Sequence, residues 1–184
     1  MSRTRYYCAA TLDGFIAERD NSIDWLTGYR GSYDGPNVEP GGRGNYETFY
    51  EGVGALVMGS TTYEWVLGEI DRWPYAGKPA WVLSSRELAA PDGEDIRIAK
   101  ADVAELHEEM LAAAGERNLW VVGGGNVASQ FAEAGLLDDV IVTVVPVVLA
   151  EGKPLFDRRL PGGAMQLSGT RTFDSGMVEL SYSV

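Results

Sequence analysis

Short unbroken apolar runs alternate along the chain with segments whose apolar residues recur every three or four positions. The unbroken runs, at residues 5–11, 55–58, 80–83, 119–122 and 140–147, read as strands buried on both faces. A strand with one wet face would instead alternate apolar with polar residues. Tyr46, Phe49, Tyr50 and Val53 fall at i, i+3, i+4 and i+7, one face of a helix. Tyr63, Val66, Leu67 and Ile70 repeat that spacing, with Thr61 and Glu64 as a capping box at its start. Val103, Leu106, Met110, Leu111 and Ala114 mark a third helix, opened by Asp102 and closed by Gly115. Val127, Phe131 and Ala134 mark a fourth. The pattern then changes: residues 166–173 and 177–184 flank Asp174-Ser175-Gly176, a hairpin turn signal. Helices between doubly buried strands predict an α/β fold, a mostly parallel central sheet with helices on both faces and an antiparallel hairpin at one edge.

One stretch breaks this rhythm. Residues 27–44 hold Gly28, Gly31, Gly35, Pro36, Pro40, Gly41, Gly42 and Gly44, so they read as a long loop, either functional or a surface insertion. With 184 residues, 45% hydrophobic and 23% charged, the chain is expected to form a single domain over 1–184. A net charge of −12 argues against nucleic-acid and membrane partners, because such a surface repels phosphate backbones and anionic lipid. Cys8 is the single cysteine, which removes disulfides and thiolate metal sites and suits a reducing, cytoplasmic setting. The N-terminus runs into a strand without a signal-peptide core, and the apolar run at 140–150 is broken by Thr143 and Pro146.

Three strand ends carry anion chemistry. Val122 leads into Gly123-Gly124-Gly125-Asn126-Val127, where glycines admit a bulky anion and a helix N-terminus offers unpaired N–H groups. The run fits G-x-G-x-x-A, yet the acid a Rossmann site needs about 20 residues later is absent, since Val145-Pro146-Val147 stands there. Met58-Gly59-Ser60-Thr61-Thr62 presents hydroxyls at another helix start, and Leu83-Ser84-Ser85-Arg86 adds a guanidinium fork. Taken singly, each has a plain structural reading: tight turn, helix cap, solvated arginine. Together they can converge on one polyphosphate at the carboxyl ends of the strands.

With these segments the chain resembles the dihydrofolate reductase-like family, in the branch built on the C-terminal reductase domain of the riboflavin-biosynthesis deaminase–reductase (RibD). The likeness rests on residues 9–17, 57–64, 83–86, 121–131 and 146–156, and implies the three-layer dihydrofolate reductase-like fold. It also implies NADPH. Ala10 and Ile16 would meet the nicotinamide carboxamide through backbone groups, while Gly59, Ser60, Thr61 and Thr62 line the phosphates. Leu83, Ser84, Ser85 and Arg86 would hold the adenosine 2′-phosphate. Gly123, Gly124, Gly125, Asn126 and Val127 would cradle the pyrophosphate, with a cis Gly123–Gly124 peptide. The branch often has arginine where Ser60 stands and glutamate where Val122 stands.

Proton supply is the thinner part. The helix containing Phe49 offers Glu47 and Glu51, but the position of the family's acid falls near Arg43 in the glycine-rich loop. Asp13 and Asp24 are the candidate catalytic acids, and Trp25, Phe49 and Thr143 the candidate substrate contacts. The one histidine, His107, sits on an apolar helix face with Val103 and Met110 and reads as packed rather than catalytic. The expected function is an NADPH-dependent reductase acting on a small heterocyclic substrate of pteridine or aminopyrimidine type, without a metal site. The rival is a non-catalytic nucleotide-binding module. The resemblance further implies a homodimer, to which residues 140–149 would contribute apolar surface.

Overall fold

The computed structural model describes residues 2–29, 45–69 and 72–184, apart from the side chains of Asn45 and Glu69. In chain order the elements are β1 (Thr4–Thr11), β2 (Phe15–Ala17), α1 (Asp24–Thr27), α2 (Asn45–Glu51), β3 (Val53–Gly59) and α3 (Ser60–Glu69). Then follow β4 (Ala80–Leu83), β5 (Ile96–Ala99), α4 (Val103–Ala114), β6 (Asn118–Gly123) and α5 (Gly125–Glu133). The chain closes with β7 (Asp139–Val145), β8 (Lys153–Pro154), β9 (Gln166–Thr172) and β10 (Val178–Ser183).

Eight strands form one sheet in the order β5-β4-β3-β6-β1-β7-β10-β9. The first six are mutually parallel, and β10 and β9 add the antiparallel C-terminal pair. The middles of β3, β4 and β6 are apolar on both faces because successive side chains enter different cores. Tyr6, Ala55, Val57, Trp81, Leu119 and Val121 pack with α4 and α5 on one face. Tyr7, Leu56, Met58, Val82 and Trp120 pack with α2 and α3 on the other. This is the α/β arrangement expected from the doubly apolar runs.

Contacts between layers are close. A Cβ on Gly54 would lie 2.1 Å from the carbonyl oxygen of Ala114, so glycine lets the end of α4 settle directly on β3. Asp102 caps α4 by accepting from the Ala104 N–H at 3.0 Å, and Gly115 ends it with φ of 65°. His107 packs edge-on against Phe131 at 5.9 Å and hydrogen bonds Thr4 Oγ1 through Nε2 at 2.8 Å. Burial holds its pKa below the usual histidine value. It is a packed histidine.

Several details depart from the periodicity. Val53 opens β3 rather than extending the preceding helix, because α2 stops at Glu51. Glu64 does not complete a capping box; its carboxylate takes both guanidinium nitrogens of Arg86 at 2.9 and 2.7 Å. The expected hairpin is present with Gly176 at φ 88°, but Phe173 and Met177 leave the ladder for a small core with Trp25 and Val145. Of residues 140–149, expected to offer apolar surface to a second copy, 140–145 lie in the interior strand β7 with Val140, Val142 and Val145 buried, while Val148 beyond it is 63% exposed. Unforeseen from sequence were α1, the edge strand β5 and the short ladder of β2 with β8. Ile70, Arg43 and residues 30–44 of the glycine-rich loop lie outside the described residues.

Because β3, β4 and β6 are parallel, Gly59 lies abreast of Leu83, and Met58 abreast of Gly123. On the other side of β6, Ala10 of β1 pairs with Val144 of β7. The anion-chemistry segments thereby come out along one rim of the sheet. Among the described residues no helix is long and apolar enough to cross a membrane.

Candidate active site

A cleft of about 880 Å3 opens along that rim. Ile16, Gly59, Ser60, Thr61, Thr62, Leu83, the run Gly123 to Val127, and Thr143 all stand on its wall. Five separate sequence segments thus converge on one space.

One end of the cleft is polar. Ser60, Thr61 and Thr62 bring hydroxyls at the start of α3, opposite the start of α5. The N-cap of α5 is Gly124, which makes no side-chain cap, in contrast to Asp102 at the head of α4. An uncapped helix start carries partial positive charge and N–H donors that a bound anion can use. The Gly123–Gly124 peptide is cis. Gly125 admits no side chain, since a Cβ there would lie 2.4 Å from the Pro154 carbonyl oxygen. Asn126 Nδ2 donates to Asp157 Oδ2 at 2.6 Å, and Gln130 Nε2 donates to Asn126 Oδ1 at 2.7 Å. Arg158, then Asn126 and Ser129, hold the Asp157 carboxyl far below the usual carboxylate range. Asp157 and Lys153 both stand on the cleft wall.

The other end is aromatic. Tyr7, Tyr46, Trp65, Tyr75 and Trp120 line it, with Glu47 beside them. Trp120 is the pivot: its Nε1 donates to the Tyr7 carbonyl at 3.0 Å, and its ring meets Tyr75 edge-on at 5.5 Å. Burial pushes the Tyr46 hydroxyl up to about 12, with the neighbouring Tyr50 adding to it. Burial likewise pushes the Cys8 thiol up to about 12. Neither ionises near neutral pH. Thr143 is 1% exposed on this wall, and its hydroxyl has no hydrogen-bond partner among the described residues. A buried hydroxyl is costly to leave unpaired, so it is available to a ligand.

Other candidates stand elsewhere. Asp13 accepts from the Thr11 hydroxyl at 2.6 Å and from the Ala150 N–H at 2.7 Å, tying the turn after β1 to the segment after β7. Those bonds, Thr11 first, lower its pKa, and the residue is off the cleft wall. Asp24 is an exposed residue at the head of α1, also off the wall, whereas its neighbours Ile23 and Leu26 are on it. Trp25 is core, 8% exposed against Val145, Phe173 and Met177. Phe49 lies behind the wall, 4.3 Å from the Tyr7 ring and 5.4 Å from Trp120. Ala10 is buried at 2%, and its neighbour Ala9 lines the cleft instead. Ser84 and Ser85 line a smaller cavity of about 430 Å3 that shares Leu83 and Gln130 with the main cleft. Arg86 lines neither.

Sequence reasoning missed Trp65, Tyr75, Trp120, Lys153 and Asp157 as wall residues. Glu47 was visible on its helix but set aside because the family's acid falls near Arg43. Trp120 gave no signal, being one apolar residue in an apolar strand.

A mostly parallel sheet with this strand-end cleft and an antiparallel C-terminal pair defines a reductase-type domain of the dihydrofolate reductase-like fold. Dihydrofolate reductase from Enterococcus faecalis, solved with NADP(H), shares that fold at TM-score 0.60 and 17% identity, covering 98% of this chain and 95% of its own. The chain belongs to the RibD C-terminal domain family, whose model matches residues 69–179. It is similar to the uncharacterized protein YwjB of Bacillus subtilis (strain 168), 33% identical over 183 residues, 98% of this chain and 97% of that one. A solved protein of Shewanella sp. PV-4, provisionally assigned to riboflavin biosynthesis, superimposes at TM-score 0.78 with 29% identity, covering 98% of each chain.

Proposed function

We propose that this chain is an NADPH-dependent reductase that delivers a hydride to a small, flat heterocycle of pteridine or aminopyrimidine type. The observation that carries the reading is one cleft with an uncapped helix start and three hydroxyls at one end and an aromatic wall at the other. The donors suit a pyrophosphate, and the rings suit a planar acceptor. When bound, NADPH supplies the hydride. The amides at the head of α5 and the hydroxyls of Ser60 to Thr62 hold the phosphates. Ile16 and Ala9 bound the space between the two ends, while Tyr46 and Trp120 flank the acceptor and exclude water. Thr143 offers its hydroxyl to a polar edge of the acceptor. Glu47, the carboxylate at the aromatic end, relays the proton that the reduced product needs.

The second reading, a nucleotide-binding module without turnover, is favoured by the placement of Asp13 and Asp24 off the cleft. Oxidation of NADPH against a panel of pterins and aminopyrimidines separates the two. A reductase consumes cofactor with at least one of them, and a module binds NADPH yet never oxidises it above background. The proposal extends to a homodimer. Leu12 and Val148 leave apolar surface at 66% and 63% exposure, joined by the hydrogen bond from the Leu12 N–H to the Val147 carbonyl. Light scattering giving twice the chain mass supports the pair, and a monomer overturns it.

A further inference from the structure

Among the described residues Glu179 is the one charged side chain in the buried set, at 5% exposure. Glutamate is almost never buried so far without something to meet it. Its place in the sheet ties it to the cleft. Thr143 of β7 stands directly opposite Glu179 of β10 in an antiparallel ladder, and Ala9 of β1 pairs with Thr143 on the other side. Side chains of directly opposed residues leave the sheet on the same face, with Cβ atoms roughly 5 Å apart. Ala9 and Thr143 are both on the cleft wall, so Glu179 projects from the face that borders the cleft.

The neighbouring rows on that face confine the pair. Val145, two residues after Thr143, and Met177, two before Glu179, belong to the small apolar core with Trp25 and Phe173. Two residues the other way along β1 from Ala9 is Tyr7, part of the aromatic wall. Thr143 is 1% exposed, and its hydroxyl has no hydrogen-bond partner, so the carboxylate opposite does not engage it. A hydroxyl oxygen and a carboxylate side by side are two acceptors. Their complement is a flat edge with two adjacent N–H donors, as in a 2-amino lactam, where a ring N–H sits beside an exocyclic amine. A dioxo ring sets a carbonyl at that position instead, and acceptor then faces acceptor.

We infer that Glu179, beside Thr143, selects the acceptor by taking the amine of a 2-amino-lactam ring, and so disfavours the corresponding dioxo ring. The inference rests on the reductase reading above and deepens it. The acid implied by the resemblance falls near Arg43, ahead of α2, whereas Glu179 comes from the C-terminal strand. Glu47 keeps the proton relay, and Glu179 decides which ring enters. Arg171 of β9 is the residue opposite Glu179 in the next ladder, so a purely structural pairing across those strands is the competing role.

The test is titration of the protein, loaded with NADP+, with pterin and with lumazine, following the fluorescence of each pteridine. The two rings differ by an amine or a carbonyl at one carbon. Wild type is expected to bind pterin more tightly. Glu179→Gln keeps the shape and removes the charge. It should weaken pterin by roughly 10- to 100-fold, the scale of a hydrogen bond to a charged group, with lumazine changed by less than about twofold. Glu179→Asp, which keeps the charge, should retain the preference for pterin. Thr143→Val should weaken pterin by several-fold. Wild-type preference for lumazine overturns the inference. So does a Glu179→Gln protein that loses both rings equally, or that melts at lower temperature yet keeps the wild-type ratio, which assigns the carboxylate to Arg171. Should Glu179→Gln fail to fold, Thr143→Val and Glu179→Asp decide: an unchanged ratio in the first, or a lost preference in the second, overturns it. Wild type that binds NADPH but neither pteridine overturns it as well. In all these cases the reductase reading stands. A wild type that binds no dinucleotide takes down that reading and the inference together.

Discussion

The two ends of the cleft are built on different principles. The polar end is made of backbone: strand, glycines or small hydroxyl residues, then a helix start, twice over in α3 and α5. Each unit is contiguous in sequence, and its chemistry is that of unpaired N–H groups, which any chain folding this way supplies. The aromatic end is made of side chains from α2, α3, β1, β6 and the segment before β4. No two neighbours there are contiguous, and its shape depends on Trp120 holding Tyr7, Tyr46 and Tyr75 in place. One end is a local consequence of the fold, and the other is a specific packing of side chains. On the proposed reading, cofactor binding then rests on backbone and acceptor choice on side-chain packing.

That contrast can be broken most forcefully at its pivot. Trp120→Ala deletes a ring that is 4% exposed and meets five aromatic neighbours, and should cost about 4 kcal/mol of stability in urea unfolding. If the aromatic end were only a decorated surface, the cost would fall under about 1 kcal/mol. Next comes Glu47→Gln. It should lower turnover by roughly 100-fold with NADPH affinity unchanged, because a proton relay acts in the chemical step alone. Parallel losses in binding and turnover would place Glu47 in the cofactor site instead. At the polar end, Gly125→Ala forces a Cβ against the Pro154 and Leu155 carbonyls, so the 153–155 segment or α5 must move. A loss of about 1–3 kcal/mol is expected, with weakened dinucleotide binding.

The smallest effect tests the packed histidine. Burial lowers the His107 pKa in the folded chain, so the unfolded chain binds the proton first as the pH falls. Its contribution to stability is therefore present above its unfolded pKa, about 6.5, and is lost as pH drops toward the lower folded value. His107→Gln should flatten the stability profile below about pH 6.5, while NADPH binding stays the same. A profile identical to wild type would remove His107 from the account.

The contrast also explains what could be read from the sequence. Doubly apolar runs and helix spacing were sufficient for β1, β3, β4, β6 and β7 and for the α/β class, because both signals are local and repeat, whereas β2, β5 and β8 were too short or too mixed to show. The polar end was legible for the same reason: Gly123 to Val127 and Gly59 to Thr62 are each one stretch of chain. The pairing of Arg86 with Glu64 was illegible, because the two lie 22 positions apart across a contact that no local pattern encodes. Asp13 looked catalytic because strand-end acids often are, yet the N–H groups of Leu149 and Ala150 claim it as a fastening. Trp120 and Tyr75 were illegible as wall residues, since which face of a doubly buried strand borders a cleft depends on how the layers close. Val53 shows the same limit on a smaller scale: its helical spacing to Tyr46 was real, but Gly52 ends the helix and the valine begins β3.

The central claim is that one cleft holds a dinucleotide at its polar end beside an aromatic wall. Titration of the purified protein with NADPH, following tryptophan emission, tests it most directly, because Trp65 and Trp120 stand on the cleft wall. The account predicts saturable quenching that Gly125→Ala weakens. A flat response in wild type, with calorimetry also finding no heat of binding, would contradict it.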